Sequence, residues 1–185
     1  MTGLIQDFDG CITLREINGA EVKISAIINS PSVFLNMTAY QNLKSQAYLL
    51  GIYDTNKIDY VMKMIGLAEA RNKVARNFSL GMIQRLKLGM ALLENPDLLI
   101  LDEPSNGLDP DSIVEFRELL LKLSHAGMTI IISSHILSEL EQLATYFGIL
   151  SNGKIVKEIS KEDILKSEMS LEDFYFQYTR EKSDV

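Results

Sequence analysis

The alternation of apolar and polar residues changes character near Asn95. Upstream of it the chain reads as helical. Thr38 followed by Gln41 is a capping-box pattern, predicting a helix from there to about Leu50. Ile58, Val61, Met62 and Ile65 recur at helical spacing on one face, and Gly66 signals the end of that element. Downstream, Leu98 to Leu101 is an unbroken apolar run between Asn95-Pro96-Asp97 and Glu103-Pro104, the pattern of a fully buried parallel strand. A helix follows with defined ends: Asp109 as N-cap, Pro110 at its first position and Gly127 just past its close. Ile113, Phe116, Leu120 and Leu123 form its core-facing stripe. Thr129 to Ser134 reads as a second buried strand and Ile136 to Ala144 as a further helix. Strand–helix–strand–helix order implies a parallel sheet with right-handed crossovers.

Tyr146 to Ile159 predicts a hairpin about Asn152-Gly153, a favoured two-residue turn. Ser160 with Asp163 opens a short helix, and Leu171 to Tyr178 suits a last one. The fold class is α/β with a helical region alongside.

Composition narrows the function classes. A formal net charge of -7 argues against a nucleic-acid surface, which needs clustered Lys and Arg. The single cysteine, Cys11, excludes an internal disulfide and a multi-cysteine metal site, and fits a reducing cytoplasm. No apolar run approaches the ~20 residues that span a bilayer, and the opening MTGLIQDFDG lacks the basic start of a secretory signal.

The chemistry gathers around the second half. Asp102 and Glu103 end the apolar strand, at the sheet edge where α/β proteins bind ligands. Asp102 suits Mg²⁺, directly or through water, and Glu103 suits the deprotonation of an attacking water. A strand that ends in an ordinary D-E-P turn is the plain alternative. His135 follows the next strand, where it either polarises a phosphate or serves as a packing residue. Ser79 and Gly81 precede an amphipathic helix; a hydroxyl, close backbone approach and a helix N-terminus make an anion site, or simply an N-cap. Arg85 either faces solvent or braces that loop.

Four segments in this order resemble the ABC ATPase family. Phe78 to Met82 (FSLGM) is similar to its signature motif, LLILDEP to its Walker B strand, SNGLDP to its D-loop, and ISSH, ending in His135, to its switch histidine. IINSPSVFLNMTAYQNL resembles the family's Q-loop and the segment after it. The S-L-G-M form is most similar to exporters of the bacitracin and lantibiotic resistance group. The resemblance implies a parallel-sheet P-loop NTPase core with a helical subdomain at about 31–94, core segments at about 1–30 and 95–160, and a helical extension over 161–185. It implies ATP with Mg²⁺ as ligands, a second ATPase subunit and a multi-span membrane permease as partners, and the cytoplasmic face of the cell membrane as location.

By the same resemblance, Ser79 and Gly81 bind the γ-phosphate of ATP held by the opposite subunit. Asp102 binds Mg²⁺, Glu103 is the general base, His135 senses the γ-phosphate and Asp109 makes D-loop contacts across subunits. Asn29 stands where the family has Gln or Glu. Phe34, Met37 and Tyr40 fall either near the permease docking site or in the helical core.

A phosphate-binding loop, G-x-x-x-x-G-K-[ST], does not occur in the 185 residues. Gly148 to Lys154 comes nearest, but Ile155 replaces the hydroxyl residue and the segment crosses the expected hairpin turn. The opening MTGLIQDFDGCITL resembles the family just after that loop, so the loop and its strand are expected to be cut away. Leu98 to Leu101 is then expected to present an unpaired edge, leaving the isolated chain poorly soluble and weak in binding ATP. The functional expectation is an ATP-hydrolysing subunit of an exporter. A non-catalytic cassette completing a partner's site, and an ABC ATPase outside transport, stand as alternatives.

Overall fold

The apolar run Leu98–Leu101 forms the middle of a sheet, not its edge. In the computed structural model, which describes residues 21–28, 33–167 and 169–180, strands β1 (Ile24–Ile27), β2 (Leu98–Asp102) and β3 (Thr129–Ser133) lie in the order β1-β2-β3. Both pairings are parallel, with Ile27 opposite Leu101 and Asp102 opposite Ser133. This corrects the expected exposed edge on β2: β1 covers one side and β3 the other, and Leu99 and Leu101 are buried. Among the described residues β1 and β3 each keep one unpaired side, and the exposed large apolar side chain of this sheet, Ile131 at 45%, lies on β3. Expressed alone, the chain is therefore expected to self-associate through β3. Ile131→Lys should lower the aggregated fraction seen by size-exclusion chromatography with light scattering; identical profiles would show that β3 is not the contact.

The chain divides into two compact units, Met1–Ser133 and Ser134–Val185. In the first, Thr38 Oγ1 accepts from the Gln41 amide (3.2 Å) and Gln41 Oε1 accepts from the Thr38 amide (2.8 Å), the capping box that starts α1 (Ala39–Leu49). It packs with α2 (Thr55–Met64) and α3 (Leu80–Leu92). The three meet at Gly89, where a Cβ would lie 2.6 Å from Ile65 Cδ1 and 3.3 Å from atoms of Leu43 and Val61. Leu43, Ile58, Val61, Met62 and Leu86 of these three helices are buried, each contributing about 1.5–3 kcal/mol on burial. Buried Asn42 fastens the segment before α1: Oδ1 accepts from the Phe34 amide (2.8 Å), and Nδ2 donates to the carbonyls of Phe34 (3.1 Å) and Thr38 (3.0 Å). Helix α4 (Pro110–His125) buries Phe116, Leu119, Leu120 and Leu123 and lies against β3.

The second unit holds α5 (Leu137–Leu143), the antiparallel pair β4 (Tyr146–Ser151) and β5 (Lys154–Ser160), α6 (Lys161–Lys166) and α7 (Leu171–Arg180). Asn152 and Gly153 turn the hairpin with φ of 49° and 74°, so Gly148 to Lys154 spans a hairpin rather than a strand–helix junction. Phe147, Ile164 and Leu171 form this unit's core. No helix among the described residues is long and apolar enough to cross a membrane.

Candidate nucleotide site

Strands β2 and β3 run in register, so Asp102 and Ser133 finish side by side at the C-terminal edge of the sheet. Asp102 is exposed, and its Oδ1 accepts a hydrogen bond from the Ser133 hydroxyl at 2.5 Å. Glu103 then adopts φ 46°, the left-handed region that few residues with a side chain enter. Its amide donates to the Ser133 carbonyl (3.1 Å) and to Ser133 Oγ (3.2 Å). The turn closes with Asn106 N–H to the Glu103 carbonyl (3.2 Å) and Leu108 N–H to the Ser105 carbonyl (3.1 Å). Two adjacent carboxylates are thus set at the edge where parallel sheets bind their ligands.

The donor set fits Mg²⁺. No group of three His, Cys, Asp or Glu able to hold a metal exists among the described residues. Magnesium commonly takes only one or two carboxylates and completes its shell with phosphate oxygens and water. Asp102 can supply one such carboxylate.

The Ser79–Gly81 segment and Asp109 also come together. Ser79 Oγ accepts from the Met82 amide at 3.2 Å and caps α3 at an exposed N-terminus, where the dipole favours an anion. The N-cap role does not preclude an anion contact, because a hydroxyl that accepts can also donate. Asp109 caps α4: Oδ1 accepts from the Ser112 amide (2.9 Å) and Oδ2 from the Ser112 hydroxyl (2.7 Å). These bonds, the side-chain one foremost, hold the Asp109 carboxyl below its ordinary pKa. Gly81 is buried against the same serine; a Cβ there would lie 2.3 Å from Ser112 Oγ and 2.7 Å from Ser112 Cβ. Beyond the close phosphate approach expected of it, Gly81 is thus required by the packing of α3 on α4. Arg85 Nη1 pairs with Glu115 Oε2 at 3.2 Å, so Arg85 braces α3 to α4. Leu80, 63% exposed, stands between Ser79 and Gly81 beside Gly107.

His135 is exposed and belongs to the second unit. Asn29 lies outside the described residues. Phe34 is 50% exposed, whereas the Tyr40 ring lies 3.7 Å under the Arg71 guanidinium and Met37 is half-buried. A cavity of about 250 Å³ borders β1, α1 and α3, touches none of the motif residues, and includes Lys87, whose pKa burial lowers. Ser112 and Ser133 carry the site's internal bonds, and sequence reading gives neither of them a role. For Ser112 the signal was present, as the third residue after an N-cap Asp.

The family model described as ABC transporter matches residues 1–106. The chain belongs to the ABC transporter family. The bacitracin transport ATP-binding protein BcrA of Bacillus licheniformis is 46% identical over 145 residues, covering 78% of this chain and 47% of that protein. The lantibiotic transport ATP-binding protein SrtF of Streptococcus pyogenes is 42% identical over 161 residues, covering 85% of this chain and 70% of that protein. The chain spans about half the length of the bacitracin transport relatives it matches. A solved ATP-binding subunit of an ABC transporter superposes with a TM-score of 0.69 at 26% identity, over 84% of this chain and 68% of that one. ABC ATPases bind ATP, generally with Mg²⁺, and hydrolyse it; the ATP-binding subunits of ABC transporters generally pair with membrane components.

Proposed function

We propose that this chain is the ATP-hydrolysing part of an exporter, working at the cytoplasmic face of the membrane with a second ATPase subunit and a multi-span permease. The observation that carries it is the pairing of Asp102 and Glu103 at the end of the central parallel strand. Asp102 would hold Mg²⁺, which neutralises phosphate charge. Glu103 would take the proton of a water whose oxygen attacks the γ-phosphorus, as the bond to the ADP oxygen breaks. Ser79 and Gly81, at the N-terminus of α3, would donate to the γ-phosphate of ATP on the partner subunit, and the Asp109 turn would meet that subunit beside them. Sensing of the γ-phosphate would fall to His135, and contact with the metal or water to Asn29. Relatives named for bacitracin and lantibiotic transport support a peptide antibiotic as cargo.

The test is Mg²⁺-dependent ATP hydrolysis by the intact gene product with its permease in vesicles, measured with and without bacitracin or a lantibiotic. Stimulated hydrolysis is expected, and Ser79→Arg should reduce it by about 10²-fold. Equal rates for the two forms would remove Ser79 from the site, and no Mg²⁺-dependent hydrolysis would remove the reading as a whole.

A further inference from the structure

Register alone brings Ser133 to the acidic pair. It is the last residue of β3 and lies opposite Asp102, so the two side chains emerge on the same face of neighbouring parallel strands. A hydroxyl is donor and acceptor at once, and Ser133 uses both capacities. It donates to Asp102 Oδ1 at 2.5 Å and accepts from the Glu103 amide at 3.2 Å. The same amide reaches the Ser133 carbonyl at 3.1 Å. One residue therefore touches both candidate acids, one through its carboxylate and the other through its backbone.

Each contact answers a specific freedom. A carboxylate turns about its last side-chain torsion in a broad, two-fold well. A donor on Oδ1 sets the plane of the Asp102 carboxylate and leaves Oδ2 for a cation. Glu103, at φ 46°, is in a backbone region that persists only where its surroundings over-determine it. Two acceptors from Ser133 on one amide provide that constraint. Ser133 is itself exposed, so its hydroxyl fills no core space, and exposure separates its effect on the site from any effect on packing.

We propose that Ser133 is a positioning residue for the metal carboxylate and the general base: its hydroxyl orients Asp102 toward Mg²⁺ and holds the turn from which Glu103 projects. The proposal rests on the assignment of Asp102 to Mg²⁺ made above. Alanine at 133 removes the donor and keeps the strand. Threonine keeps the hydroxyl and suits a strand.

The experiment is a titration of Mn²⁺, standing in for Mg²⁺, into the intact gene product assembled with its permease and a non-hydrolysable ATP analogue, read by electron paramagnetic resonance. Ser133→Ala is expected to weaken Mn²⁺ binding by about tenfold, the size of effect that partners of metal ligands show, while Ser133→Thr stays within about twofold of the parent. Parent-like affinity in Ser133→Ala, or equal losses in the two variants, overturns the proposal and leaves the ATPase reading standing. No analogue-dependent Mn²⁺ binding by the parent overturns the assignment of Asp102 and this proposal with it.

Discussion

Glu103→Gln is expected to lower MgATP turnover of the assembled transporter by about 10²–10⁴-fold, the usual weight of general-base catalysis, with nucleotide affinity within about threefold of the parent. The amide matches the carboxylate in shape but does not accept a proton at neutral pH. Its backbone setting is unchanged, because the bonds that hold φ 46° run from the residue 103 amide to Ser133 and do not involve the Glu103 carboxylate. Stability should therefore move little, by about 0.5 kcal/mol or less, as for other substitutions outside the core.

Magnitude decides between two roles for this carboxylate. A group that only contributes negative charge to a solvent-facing edge would cost a few-fold when neutralised, since exposed charges interact weakly through water. A base that takes the water's proton costs orders of magnitude in kcat while the Michaelis constant holds. Turnover above a tenth of the parent's would assign Glu103 the lesser role. Asp102→Asn makes the contrast, because the loss there should appear as a raised Mg²⁺ requirement.

What the sequence made legible is mostly local. Thr38, Ser79, Asp109 and Ser160 all cap helices through bonds to the residue three places on, so side-chain chemistry and spacing suffice to find them. The unbroken apolar run Leu98–Leu101 could only be a buried strand, and Asn152-Gly153 could only close a hairpin. Strand β1 was not foreseen: Ile24–Ile27 is four residues long, with Ser25 in its middle, too short for periodicity to decide. Sheet order was misplaced for a related reason. Which strand flanks β2 depends on a non-local pairing, and the long stretch of chain between β1 and β2 leaves no trace of it in either segment.

The site divides along the same line. The carboxylates and the capping serine are readable because their chemistry is tied to a strand end or a helix start. Ser133 is not, because its role exists only once β3 lies in register with β2. Asn42 lies within a helix whose apolar face is what a periodic reading notices, so a polar residue buried among those positions passes as a surface one. Gly81 was read as space for a phosphate; its second requirement, set by Ser112 far along the chain, becomes visible only when α3 and α4 pack.

That requirement makes a second large effect predictable. Gly81→Ala is expected to reduce turnover by about 10²-fold, and Ser112→Gly in the same chain to restore most of it. The added Cβ would stand 2.3 Å from Ser112 Oγ and 2.7 Å from Ser112 Cβ. Rotation of the serine frees the hydroxyl contact but not the second, because a Cβ is fixed to its backbone. The start of α3 must then move from α4, with about 1–3 kcal/mol of overpacking strain. Ser79 moves with it, and a misplacement of about 1 Å at a phosphate contact is enough for a loss of that size. Glycine at 112 removes both offending atoms and leaves only the Ser112 Cα position at 3.8 Å, an ordinary contact. Asp109 loses one bond but keeps the residue 112 amide at 2.9 Å, so the α4 cap survives. Ser112→Ala keeps the Cβ and should not rescue. If Gly81 is needed only so that a phosphate can approach, the double variant will be as slow as Gly81→Ala alone. Rescue by glycine, without rescue by alanine, would instead locate the requirement between the two helices, with a coupling of about 1 kcal/mol or more in the double-mutant cycle.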